Sequence, residues 1–179
     1  MTQQDFLRMV QSRSARTCIG PSTVRGRGNA GAVVAARNFL RVLDLDPFGV
    51  TNRETFNTQL DRTTEQLRTA LPRGCQNWGL ARKILNIFLL DCSYTSHLVS
   101  AYHLDRSETF LELPLDSITA KALRKAARKR GESLPRWPGV KHLTVPISAS
   151  YQNVAAAEGA ANGIARVHLD ALWWSLDRD

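Results

Sequence analysis

Apolar residues recur at three- and four-residue spacing along most of this chain, and few segments alternate with period two, so the pattern predicts helices throughout. Phe6, Met9 and Val10 suggest a first helix within residues 1–18, followed by Val33, Val34, Ala36, Leu40 and Leu43, which end before Pro47. Thr51 with Glu54 three residues on reads as a capping box, opening a helix whose face carries Phe56, Leu60, Leu67 and Ala70. That helix stops at Leu71-Pro72-Arg73-Gly74. From Gly79 to about Asp91 nearly every position is apolar, the mark of a central helix, with Arg82 and Lys83 at its start. A loosely patterned connection with a short helix around Leu98 to Leu104 leads to Asp116, which opens the stripe Ile118, Ala122, Leu123, Ala126 and Ala127. A proline-rich connector (Pro135, Pro138, Pro146) holding Trp137 precedes two last helical stretches, Tyr151 to Ala161 and Ile164 to Trp174, broken at Gly163. The expected class is all-α.

Composition narrows the picture without changing it. With 179 residues, 43% hydrophobic and 22% charged, the chain is expected to form a single all-helical domain over 1–179. It could be built as two sub-layers, with N- and C-terminal helices packing on a central 50–130 core. No apolar run reaches the roughly 18 residues a bilayer needs, and Met1-Thr2-Gln3-Gln4-Asp5 leads into no signal region, so cytoplasm and no membrane partner are expected. Cys18, Cys75 and Cys92 are odd in number and scattered, and the four histidines make no ligand spacing, so neither metal nor cofactor is expected. A monomer is expected.

Charge changes the picture more. The net charge is +8, which favours an anionic partner, nucleic acid being the commonest. The helix after Asp116 carries Lys121, Arg124, Lys125, Arg128, Lys129 and Arg130 on one face, with no acid between Ser117 and Gly131. Such a face contacts a DNA backbone, rests on a membrane surface, or is simply solvated. Arg25 and Arg27 lie in a Gly-rich loop (Gly20, Gly26, Gly28, Gly31), suited to phosphate contact or to a plain solvated turn.

Two segments carry a resemblance. Gly79-Leu80-Ala81-Arg82-Lys83, followed by Asn86, is similar to the lysine-bearing hairpin of the helix-hairpin-helix DNA glycosylase superfamily. Leu115-Asp116-Ser117-Ile118, continuing to Leu123-Arg124, is similar to that superfamily's aspartate segment. The second hairpin glycine is replaced by Ala81, and Leu71-Pro72 sits earlier than the pattern has it. The separation of Lys83 from Asp116, 33 positions (116 − 83), looks more like the archaeal 8-oxoguanine glycosylase branch. That branch also has an aspartate and a tryptophan four residues apart near its end, as Asp170 and Trp174 are here. No four-cysteine iron–sulfur loop is present.

The resemblance implies a helix-hairpin-helix glycosylase-like bundle with its active site in a cleft between helical layers. It implies a DNA N-glycosylase, acting on double-stranded DNA, that flips a modified or damaged base into a pocket. Asp116 would stabilise positive charge on the sugar, and Lys83, as a neutral amine, would attack C1′ and form a Schiff base, giving abasic-site lyase activity. That role requires the lysine to drop from about 10.4 towards roughly 7–8; a charged Lys83 would position DNA while water attacks. Asp170, Trp173 and Trp174 would line the base pocket. Trp78, Gly79, Arg82, Lys121, Arg124, Lys125 and Arg128, with Arg25 and Arg27, would hold the DNA. Oxidised guanine in repair, or modified phage bases such as glucosylated hydroxymethylcytosine in anti-phage defence, are the expected substrates. The alternative is a helix-hairpin-helix DNA-binding module without chemistry.

Overall fold

The computed structural model describes residues 1–24 and 31–176, the side chains of 174–176 excepted. Arg25, Arg27 and the Trp174 side chain therefore lie outside the described residues. The described residues form helices and no strand: α1 Gln3–Cys18, α2 Ala32–Leu40, α3 Arg53–Ala70, α4 Trp78–Ser93, α5 Ser96–Tyr102, α6 Ser117–Lys129, α7 Val145–Ala161 and α8 Leu169–Leu176. Short 3-10 turns at Asp46–Phe48, Arg73–Cys75, Leu104–Phe110, Val140–His142 and Arg166–His168 join them. Among the described residues no helix is long and apolar enough to cross a membrane.

Helix α4 is central because its sequence leaves it no polar face. Leu80, Ala81, Ile84, Leu85, Phe88 and Leu89 are buried, and α1, α2, α3 and α5 all pack on it. Full burial of each such leucine, isoleucine or phenylalanine contributes about 1.5–3 kcal/mol. The buried side chains part into two clusters. One joins α1 to α5 around Phe48, Phe56, Leu60 and Phe88. The other joins α6, α7 and α8 around Leu113, Leu123, Tyr151 and Leu169. Leu111 belongs to the first cluster and Leu113 to the second, so the chain crosses between them at Glu112.

Several local expectations shift by a residue or a turn. The cap of α3 is Asn52, not Thr51: Asn52 Oδ1 accepts from the Thr55 amide at 2.9 Å, and Glu54 falls one place short of a reciprocal bond. On the same helix Ala70 is exposed, while Thr63 and Thr64 are fully buried, because the facing α4 brings Arg82 to Thr64 Oγ1 at 2.9 Å. Helix α2 ends at Leu40, short of Leu43, and Val34 is exposed. Helix α7 begins at Val145, since Pro146 lies in a first turn that needs no proline amide hydrogen bond. The last stretch opens as the Arg166–His168 turn before α8.

Candidate functional site

The two residues on which the sequence reading turns meet in space. Lys83 projects from the second turn of α4, where Asn77 caps the helix by accepting from the Leu80 amide at 3.1 Å. Asp116 is the N-cap of α6, and its Oδ1 accepts from the amides of Ile118 (2.9 Å) and Thr119 (3.1 Å). Its own amide donates to Thr119 Oγ1 at 2.9 Å, completing a capping box. One carboxylate oxygen is thus held by the helix end, and the other, Oδ2, faces Lys83 Nζ at 3.4 Å. That spacing is looser than a tight charge-assisted hydrogen bond of about 2.7–2.9 Å. The Lys83 side chain is 12% exposed and that of Asp116 27%, so the pair is screened from bulk water yet reachable.

The segment ahead of Asp116 is pinned from α7. Buried Gln152 accepts from the Leu113 amide at 3.1 Å and donates to the Leu113 carbonyl at 2.8 Å. Sequence reasoning missed Gln152, since a lone glutamine on a helix gives no signal of its partner.

Asp170, in the first turn of α8, lies in the field of this pair. Burial pushes its carboxyl up, the charge of Asp116 adds to the rise, and Lys83 opposes it, leaving a pKa of about 6. Trp173 lines a groove of about 440 Å³ with Ile118, Lys121, Ala122, Lys125, Ala126, Lys129 and Glu158. Lys83 and Asp116 are therefore brought together, Asp170 feels the charge of both, and Trp173 stands beside α6.

Arg82 is not at the surface. Its guanidinium is buried, donating to both Glu112 oxygens (2.8 and 3.1 Å), to Asp61 at 2.8 Å and to Thr64. It also lies 5.3 Å from the centre of the Trp78 ring, a cation–π contact. Burial alone would push the Glu112 carboxyl up, but hydrogen bonding and charge from Arg82 bring it below its ordinary value. Arg82 is thus a structural ion-pair centre, its guanidinium engaged by two carboxylates and a hydroxyl. Burying an arginine there requires two acids, and no local pattern marks Asp61 and Glu112 as its partners.

Gly79 is also enclosed. A Cβ there would stand 2.2 Å from the Val140 carbonyl oxygen and 2.7 Å from Leu143 Cβ, so this glycine admits the Val140–His142 turn onto α4. Trp78 is half-buried and packs against the second cluster.

Helix α6 keeps most of its charge. Arg130 is taken up by Glu132 (3.1 Å) and Glu158 (2.7 Å), so the face is not wholly uncompensated. Lys121, Arg124, Lys125, Arg128 and Lys129 have no carboxylate within 4.0 Å among the described residues. The buried stripe is Thr119, Ala120, Leu123, Ala126 and Ala127, leaving Ile118 46% exposed.

Among the described residues no group of three His, Cys, Asp or Glu side chains could hold a metal ion. Burial, then Asp91, pushes the Cys18 thiol up to about 12, and burial raises Cys92 as well, so neither offers a thiolate at neutral pH. No protein family matches this chain, and no curated protein or solved structure matches it either.

Proposed function

We propose that this protein is a DNA glycosylase that removes a modified or damaged base after flipping it out of the duplex. The observation that carries the reading is the Lys83–Asp116 pair at 3.4 Å, half-screened from water. Cleaving a glycosidic bond builds positive charge at C1′, and a fixed carboxylate beside that carbon stabilises it with no reorganisation. Asp116 suits the task because the helix end orients one oxygen and leaves the other directed into the site. In this reading the uncharged Lys83 amine bonds to C1′ as the C1′–base bond breaks and the base leaves with a proton. The C1′–O4′ bond then opens, O4′ taking the proton lost from nitrogen, to give an imine. Loss of a C2′ proton with the 3′ phosphate as leaving group would open the strand. Asp170 and Trp173 supply a titratable hydrogen-bonding group and an aromatic face for the extruded base. The unpaired cations of α6 would hold double-stranded DNA by its phosphates. Oxidised guanine and bulky modified phage bases are both in the substrate class, the first in repair and the second in anti-phage defence.

The second reading, a DNA-binding module without chemistry, is favoured by one observation: the capping box alone gives Asp116 a structural reason to be there. Incubation with duplexes bearing single modified bases, with borohydride present, separates the two. The catalytic reading expects abasic product, a trapped covalent adduct lost in Lys83→Gln, and an Asp116→Asn variant that binds but does not cleave. No abasic product across oxidised, alkylated and glucosylated bases, with DNA binding intact, would leave the binding module standing.

A further inference from the structure

The groove flanked by Trp173 has a larger counterpart on the other side of α6. It encloses about 680 Å³ and is lined by Ser117, Ala120, Lys121, Arg124, Lys125, Arg128, Lys129 and Trp137. Lys121, Lys125 and Lys129 stand at four-residue intervals and border both grooves, a cationic ridge about 12 Å long. Ser117, which lines the larger groove, follows Asp116 in the chain, so one end of that groove lies at the helix terminus that Asp116 caps.

Its far wall is built to stay in place. Trp137 stands between Pro135-Arg136 and Pro138, a stretch with few backbone freedoms. The hydroxyl of Tyr151 on α7 donates to the Pro135 carbonyl at 2.8 Å, and its ring meets Trp137 edge to face with centres 5.4 Å apart. Gly139, at φ 79°, then turns the chain into Val140–His142. Trp137 packs on both buried clusters yet is not fully buried and lines the groove.

One wall of unpaired cations and one of fixed indole match the two chemistries of an unpaired nucleotide, its phosphate and its base face. A paired duplex would satisfy the cations, but its bases are stacked on one another and offer no free face to the indole. We propose that the Trp137 groove holds an unpaired nucleotide of the DNA strand adjoining the extruded one, its base on Trp137 and its phosphates on Lys121, Arg124 and Arg128. This rests on the glycosylase reading for the identity of the nucleic acid. It adds that the protein engages DNA opened beyond the single target position.

The test compares a thymidine oligonucleotide of about twelve nucleotides with a fully paired duplex of equal length, using the whole chain. Trp137→Ala is expected to weaken oligonucleotide binding roughly tenfold, within the range of a lost base stack, and duplex binding less than about twofold. Trp137→Phe, which keeps the packing, should retain most of the affinity but lose the part of the fluorescence quenching that the indole supplies. Arg124→Gln should lower the slope of log K against log salt by about 0.7 for the single strand. Equal weakening on both ligands, or quenching unchanged in Trp137→Phe, would overturn the proposal. If Trp137 discriminates but no base is released from any duplex, the glycosylase reading falls and the groove stands. If Asp116-dependent release occurs without discrimination, the groove alone falls.

Discussion

Asp170 carries the most displaced carboxyl near the candidate centre, and its displacement has a consequence for stability. Its folded pKa of about 6 lies above the ordinary 3.8, because burial and the neighbouring Asp116 both disfavour its charge. The folded protein therefore keeps a proton there that the unfolded chain gives up, and stability falls as pH rises from about 4 to about 6. Below that window both states are protonated and the penalty is absent. Asp170→Asn should then raise the melting temperature at pH 7.5 and leave it near wild type at pH 3.5. Equal shifts at the two values would mean that Asp170 is not held out of water. The same carboxyl being half-protonated near pH 6 suits a group that reads a base by donating or accepting a hydrogen bond.

At the scale of elements, the approach of the Val140–His142 turn to α4 is decided by one missing methyl group. An alanine at position 79 would gain about 1 kcal/mol in helix propensity. Against that stands the Val140 carbonyl oxygen 2.2 Å from the new Cβ, and backbone cannot swing aside as a side chain can. Overpacking of this kind costs about 1–3 kcal/mol, occasionally more, so Gly79→Ala is expected to be net destabilising. Thermal unfolding without DNA checks this; a melting temperature at or above wild type would sink it. A loss seen only in DNA affinity would instead assign Gly79 to phosphate contact. At α6, Asp116 likewise serves the helix end with one oxygen and faces Lys83 with the other.

Across the whole molecule, the Lys83–Asp116 pair spans the join between the two clusters, α4 giving one partner and α6 the other. Arg166 ties the same join, donating to the carbonyls of Leu111 (2.9 Å) and Phe110 (2.8 Å). The turn on Gly79, with Val140 in the first cluster and Leu143 in the second, holds it elsewhere. Removing charged hydrogen-bond partners of this type costs about 1.5–3 kcal/mol. Arg166→Ala should lower the unfolding free energy in urea by about that amount with the slope m unchanged, because the remaining ties keep the clusters unfolding together. A lowered m would mean that the clusters part.

The range of each interaction sets how far the sequence alone determines it. Helical class, the central helix over α4 and the basic face of α6 depend on residues three or four apart, so periodicity and local charge already determined them. Thr51 and Asn52 are both good caps for α3, and only backbone geometry selects Asn52. The inward turn of Arg82 and the uptake of Arg130 depend on acids 21 to 30 positions away, at Asp61, Glu112 and Glu158. No short window of the sequence contains these partners, and of the contacts to Arg130 only Glu132 lies nearby in the chain. The meeting of an amine on α4 with a carboxylate at the head of α6 was suggested by resemblance, and tertiary packing alone brought them to 3.4 Å. Trp137 shows the same division: its neighbouring prolines announce a stiff connector, but only the fold sets that indole across a groove from the cations of α6.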